Sequence, residues 1–489
     1  MKISNILSGL FFLIACTTLS GCMKDVYKGE KTDPKVEPKP NPTVPDKDIE
    51  KLPDLSVPAV FDWNEVYVKI PLSGTIDIND IQILVPPLKF NKSFAYSYTF
   101  DDNIAQAYGK AFCTINKKWV DDMGFFHVGQ PHTTGRVPAK TLGYTDGCGN
   151  ERRFTFGVSV WPDSKNIHID NFMNPTNKKA DKYYPYLVWR DVIPLLDYGC
   201  DIYFHDVNTD TYGDDVTGIL AGMKAIQEIT KKNIGRKMKI LARPNGDNKY
   251  CTAARDYNDI VMMAVENGTD EGPAEHISFN VSWDLRNVAQ YRRYTEPTPS
   301  VDQLMPEIDK AALSGSYTWL HDFSHGPANF QYILDLFTEI NNKYGKDGND
   351  CVWFATLDEI YEYNYLRNNC IITKEISNNT LTLRFYCPSS DLPNEFMFHR
   401  DFSVIVKGVS PQPNANIATG NNVYSLSYAK QGDNSWMFNI DCNKSLLDKA
   451  ERYTSAYEKE RSASAKEDAL YFVNRLKDSL RKPFENRIK

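Results

Sequence analysis

Four stretches of this 489-residue chain end an apolar run in residues able to move protons or hold charge. Tyr96-Ser-Tyr-Thr-Phe-Asp101-Asp102 closes on paired carboxylates, and Asp201-Ile-Tyr-Phe-His205-Asp206 on an imidazole. Ile240-Leu-Ala-Arg243-Pro244-Asn245-Gly246 places a guanidinium before a turn, and Tyr317-Thr-Trp-Leu-His321-Asp322-Phe-Ser-His325 carries two further imidazoles. Carboxylates and imidazoles exchange protons or bind metals, and an arginine fixes negative charge. A single aspartate pair often only caps the next helix, and a single strand-ending histidine is usually structural. Four such ends together point to one catalytic centre. Two carboxylates could flank a glycosidic bond, but neighbours along a strand project to opposite faces, which suits that chemistry poorly.

The elements that must position these residues alternate. Strands are expected at Phe94 to Phe100, Gly124 to Val128, Phe154 to Val160, Asp201 to Phe204, Met238 to Leu241, Tyr317 to Leu320 and Cys351 to Ala355. Between them lie amphipathic helices, one carrying Val216, Ile219, Leu220, Met223 and Ile226, another Phe330, Ile333, Leu334, Phe337 and Ile340. Thr356-Leu-Asp-Glu359 is a capping box opening a helix over Leu357 to Leu366. Such alternation predicts an α/β fold, a parallel (β/α) barrel, in which catalytic residues gather at the carboxyl ends of strands. Residues 370–445 change to antiparallel patterning, exemplified by Leu381-Thr-Leu-Arg-Phe-Tyr and Phe402-Ser-Val-Ile-Val-Lys, and read as a small β-sandwich-like domain. The division expected is 1–21 signal peptide, 22–58 tether, 59–92 β lead-in, 93–369 barrel, 370–445 sandwich and 446–489 charged helical tail.

The order Thr-Phe-Asp-Asp, strand-ending His, Arg-Pro-Asn-Gly and Leu-His resembles the metal-dependent polysaccharide deacetylase family of carbohydrate esterases. Val352-Trp-Phe-Ala-Thr-Leu-Asp-Glu-Ile360 resembles the closing segment of that family's barrel, so the likeness covers roughly residues 93–368. It implies an incomplete (β/α) barrel and hydrolysis of N- or O-acetyl groups on a glycan. It also implies one divalent metal: zinc, with cobalt or nickel as alternatives. By this resemblance Asp101 is the general base, Asp102 a metal ligand, His205 the first histidine ligand, Arg243 the residue orienting the base, and His321 the general acid. The family places a second histidine about four residues after the first, whereas Asp206, Val207, Asn208, Thr209 and Asp210 follow His205 here. Asp210 becomes the candidate third ligand, with water as the alternative and His127 and His132 more remote. A carboxylate there would shift preference away from softer metals. Asp322 and His325 either tune His321 or cap the next helix, and Asp146, in the turn Thr145-Asp-Gly-Cys-Gly-Asn150, either holds that turn or contacts substrate.

The N-terminus supplies an address. Lys2 precedes an apolar run from Ile6 to Cys16, too short to span a bilayer. Leu19-Ser20-Gly21-Cys22 resembles a bacterial lipobox, which implies cleavage before Cys22, acylation of that cysteine and anchoring in the cell envelope. From Lys24 to Pro58 the chain is rich in Lys, Asp, Glu and Pro and reads as an extended tether. A net charge of −7 without a Lys/Arg stripe argues against nucleic acid as a partner. Eight further cysteines are scattered without zinc-knuckle spacing. The expectation is an envelope-anchored hydrolase removing acetyl groups from a glycan. The alternative is a catalytically inactive barrel of the same kind that binds glycan.

Overall fold

The computed structural model describes residues 52–121, 126–127, 135–162, 183–184, 187, 189–266, 276–279, 290–295, 301–325, 330–388, 392–413, 416–432 and 434–489. Cys22, the tether before residue 52 and His132 lie outside them, and of His127 only the backbone is described.

Strands β1 (Tyr67–Pro71) and β2 (Gln82–Leu84) precede a parallel sheet. Its members are β3 (Phe94–Phe100), β4 (Gly157–Val160), β5 (Asp201–Phe204), β6 (Ile240–Ala242), β7 (Met262–Glu266), β8 (Gln290–Thr295) and β9 (Thr318–Ser324). They pair in chain order, and β9 pairs back onto β3. β10 (Val352–Phe354) lies parallel beside the start of β3, below β4. Seven parallel strands in the ring, among the described residues, make an incomplete (β/α) barrel. β7 and β8 were not expected from sequence. Ile260 to Val265 is an unbroken apolar run that periodicity cannot assign, and Gln290–Thr295 has no apolar alternation. The described part of the expected strand at Gly124 to Val128 is Phe126–His127, which pairs antiparallel with Tyr183–Tyr184 and not with the barrel.

All seven residues of β3 are buried, as a strand covered on both faces requires. Tyr98 and Phe100 face outward onto Phe337 and Phe330, with ring centroids 5.2 and 5.5 Å apart. The helix Gln331–Lys343 supplies Phe337 and begins directly after Phe330. The helix Val216–Ile234 buries Ile219, Met223 and Ile226 and starts where the Asp215 carboxylate accepts the Gly218 N–H at 2.7 Å. Gly222 lets this helix approach the chain after β5, because a Cβ there would lie 2.7 Å from Val207 Cβ. Thr356 caps Leu357–Asn369 by accepting the Glu359 N–H at 3.2 Å.

Two four-stranded antiparallel sheets follow the barrel in sequence but recruit its preceding strands. β11 (Ile371–Ser377) and β12 (Thr380–Tyr386) join β1 and the pair Ala418–Thr419. β13 (Asp401–Lys407), β14 (Ser425–Gly432) and β15 (Ser435–Asp441) join β2. Phe385 of β12 and Phe402 of β13 pack with centroids 5.3 Å apart, so the sheets meet face to face. The segment 59–92, set apart in the sequence reading, thus shares its sheets with 370–445. Helices Ser445–Glu460, Ala463–Val473 and Asp478–Glu485 form the tail.

A buried charge network ties these sheets to the barrel. Asp201, at the start of β5, contacts Arg236 and accepts from His399 Nε2 at 2.8 Å. Lys239, fully buried, sits between Asp358 and Glu362, and Glu362 accepts the backbone N–H of Phe398 (3.0 Å) and His399 (2.6 Å). Burial lowers the His399 pKa, but Asp201 and the nearby glutamates outweigh it and raise the ring to about 9. Its ordinary value is 6.5, so the charged ring stabilises the fold fully below pH 6.5, and that contribution disappears as pH rises through 9. Denaturant melts of His399→Asn are therefore expected to show a penalty largest near pH 6 and shrinking toward pH 10. A pH-independent penalty would contradict the charged pair.

Candidate active site

The four strand ends meet at one mouth of the barrel, with Asp101 and Asp102 at the end of β3. Asp101 is 1% exposed; its N–H donates to Ser324 O at 2.9 Å, and its Oδ1 accepts from Ser159 Oγ of β4 at 2.9 Å. Asp102 and Asn103 then adopt left-handed φ values of 61° and 56°. That conformation is costly away from glycine. It turns the chain out of the strand so that Asp102 stands at the rim while Asp101 stays buried.

His205 follows β5 and is 2% exposed. Its Nδ1–H donates to Ala242 O of β6 at 2.8 Å, leaving Nε2 directed at Asp102 Oδ1, 3.1 Å away. A histidine anchored through Nδ1 to a carbonyl presents Nε2 as its metal-binding nitrogen when neutral. Burial lowers the pKa of this ring, yet the Asp101 charge and the Asp102 contact raise it to about 9, so a cation would have to displace a proton here. Arg243, one residue past β6, is fully buried, with its N–H on Ala264 O (2.9 Å) and Nη1 on Asn248 Oδ1 (2.7 Å).

On β9 the alternation separates neighbours. His321 is 4% exposed and lies on the inner face, its Nε2 2.8 Å from Thr99 Oγ1 and its ring stacked near Trp319. His321 is in register with Ser97, and its ring reaches the level of Thr99, one pleat repeat, about 7 Å, below Asp101. Asp322 points the other way and accepts from Tyr96 OH at 2.6 Å, which places it with the outer packing rather than beside the His321 ring. His325, just past β9, is half-exposed at the rim, with Nε2 3.9 Å from Asp102 Oδ2. The two oxygens of Asp102 therefore each face an imidazole. Sequence named His325 only as a neighbour of His321; its approach to Asp102 follows from the β3–β9 pairing, which spacing does not reveal.

Asp210 lies exposed on the short helix Thr209–Tyr212. Among the described residues no three His, Cys, Asp or Glu side chains are gathered closely enough to form a ready metal site. Asp146 is buried and holds its turn by accepting from Cys148 N, Asn150 N and Asn150 Nδ2, and it also accepts from Ser427 Oγ of β14, which fits the turn-holding reading. Asp206 accepts from Tyr250 OH and Val207 N and anchors the following loop. The eight cysteines of the described residues are unbridged.

A family model described as "Putative polysaccharide deacetylase" matches residues 121–488, the chain from just beyond β3 through the tail. The chain belongs to this family. A search of curated proteins finds no match. Among solved structures, the Xyl-CE4 domain of a multidomain xylanase from the hindgut metagenome of Trinervitermes trinervoides aligns at 13% identity. That alignment covers 55% of this chain and 90% of the domain, with a TM-score of 0.28. Family membership supports a hydrolase of acetylated polysaccharides, and the match begins only after Asp101 and Asp102.

In this deacetylase-family protein, Thr99→Val should remove the hydroxyl beside the buried His321 ring. The expected cost is about 1–3 kcal/mol in denaturant melts, with Thr99→Ser close to wild type. Equal melts for Val and Ser would show that the hydroxyl holds nothing.

Proposed function

We propose that the protein is an envelope-anchored, metal-dependent deacetylase of acetylated glycans. The observation that carries this reading is the Asp102–His205 pair, its imidazole fixed by Ala242 O, beside the buried carboxylate of Asp101. The donor set fits a divalent cation in part: Asp102 and His205 offer an oxygen and a nitrogen 3.1 Å apart. His325 Nε2, 3.9 Å from the second Asp102 oxygen, would take the place of the histidine missing after His205. Donors sharing one metal at bond lengths near 2.1 Å sit roughly 3–3.5 Å apart, so the Asp102–His205 spacing suits one cation and His325 would have to move closer. His325 is preferred to Asp210 because it already faces Asp102.

Bound there, a divalent cation would polarise the acetyl carbonyl and acidify an attacking water. Asp101, with Ser159 holding one oxygen, would accept the proton of that water. Arg243, buried at the end of β6, would favour the ionised form of Asp101 by its charge. His321 would protonate the departing group, its ring orientation set by Thr99 and Trp319. Such rings often tighten onto their partners only when substrate is bound.

Acetate release from a panel of acetylated oligosaccharides, with zinc or cobalt added, tests the reaction. Asp101→Asn should reduce it by about two to four orders of magnitude, and a chelator should abolish it. A glycan-binding, catalytically silent barrel is the second reading, favoured by the lack of a ready three-ligand cluster among the described residues. No acetate from any substrate, with glycan binding retained, would establish it. Metal content decides the ligands: Asp102→Ala, His205→Ala and His325→Ala should each lose bound metal and Asp210→Ala should keep it. Undiminished metal in the first three would overturn the assignment.

The anchor is proposed from Leu19-Ser-Gly-Cys22 and the tether behind it. Cys22→Ala should move the protein from the membrane to the soluble fraction and end labelling by palmitate. Continued membrane association would contradict it.

A further inference from the structure

Away from the Asp101 mouth, where β4, β5 and β6 begin, a cavity of about 490 Å³ is bounded by Thr155, Leu196 to Gly199 and Arg236 of the barrel, by His399 to Asp401 and Asp441 to Leu446, and by the tail helices. Most cations around it are satisfied. Lys89 lies 2.5 Å from both Glu359 and Asp401, Arg236 meets Asp201, and Arg452 meets Asp197.

Three are not satisfied in this way. Among the described residues, Arg152 and Lys449 have no carboxylate within ion-pair distance, and Arg475 has only Asp441, at 3.8 Å; against the lowering effect of burial, Asp146, Asp441 and Asp401, farther off, still hold the Arg152 guanidinium above its usual range. The Nε atoms of Arg152 and Arg475, and of neighbouring Arg400, are buried without a hydrogen-bond partner among the described residues. These groups also oppose one another. Burial holds Lys449 down to about 8, with Asp197 resisting and Arg475 and Arg236 adding to the fall. Burial and the charge of Arg152 lower Arg475 in the same way. Half-buried cations that lack a close carboxylate are costly, and clustered ones more so. An arrangement that keeps two guanidinium groups and an ammonium around one space is what recognition of an oxyanion uses: planar forks with a point charge beside them.

We propose that Arg152, Arg475 and Lys449 form a second ligand site, which takes an oxyanion-bearing small molecule at the joint of barrel, sheets and tail. The volume lies within the range of small-molecule pockets, about 300–1,000 Å³, and exceeds what one phosphate fills, so it admits a sugar carrying the charged group. Of the acids on its walls, Asp197 faces Arg452, Glu359 and Asp401 face Lys89, and Asp441 lies toward Arg475 and Arg152. The site is independent of the deacetylase reading and uses none of its residues.

Thermal shifts and calorimetric titrations of the whole chain test this, with inorganic phosphate, sulfate and glucuronate at constant ionic strength against chloride. At least one oxyanion should bind saturably and raise the melting temperature where chloride does not. A lower dissociation constant for glucuronate than for phosphate identifies an acidic sugar as the natural ligand, and the reverse identifies a free inorganic anion. Lys449→Met and Arg475→Gln should weaken binding by about tenfold or more, Lys449→Arg should restore most of it, and Asp101→Asn should leave it unchanged. No response beyond chloride from any of the three overturns the proposal. So does an unchanged affinity in folded Lys449→Met and Arg475→Gln.

Discussion

Strand β3 must satisfy two incompatible surroundings along seven buried residues, and the rest of the molecule is arranged around its solution. Its outer face presents Tyr96, Tyr98 and Phe100 to the helical layer, where both tyrosine hydroxyls find partners on β9. Its inner face presents Ser97, Thr99 and Asp101, which bind Trp319, His321 and Ser159 in turn. A buried polar column of this kind is tolerable only if every member is paired. The pairing fixes β4 and β9 against β3, and so fixes where His321 and His325 fall relative to the carboxylates. The left-handed turn at Asp102 completes the arrangement by bringing the second carboxylate to the rim between two imidazoles.

The other end of the barrel is held differently. There Asp201, Lys239, Glu362 and His399 form a buried ionic joint, and the C-terminal sheets close on it through strands drawn from both sides of the barrel in sequence. Charge pairing at that end leaves the mouth free to carry residues chosen for chemistry. It also gathers more cations than local acids satisfy, which is where Arg152, Arg475 and Lys449 stand.

The parts legible in the sequence were those set by local pattern. β3, β5, the two amphipathic helices and the Thr356 cap follow from apolar periodicity and capping chemistry, and the strand-ending Asp101, Asp102, His205 and Arg243 could be read as a group. What remained hidden depends on pairing between distant segments. β8 has no apolar alternation, and β1 and β2 look like a lead-in until their partners in β12 and β13 are seen. Nothing local distinguishes His325, at the rim, from His321, two pleat repeats earlier. Only the register of Ser324 against Phe100 does.

In the proposed function, Asp102 gathers one cation between His205 and His325. Anomalous diffraction at the zinc edge, from crystals of the protein equilibrated with zinc, tests it most directly. One strong peak in contact with Asp102, His205 and His325 is expected. A mouth without density at saturating zinc, or a peak bound by other side chains, would contradict it.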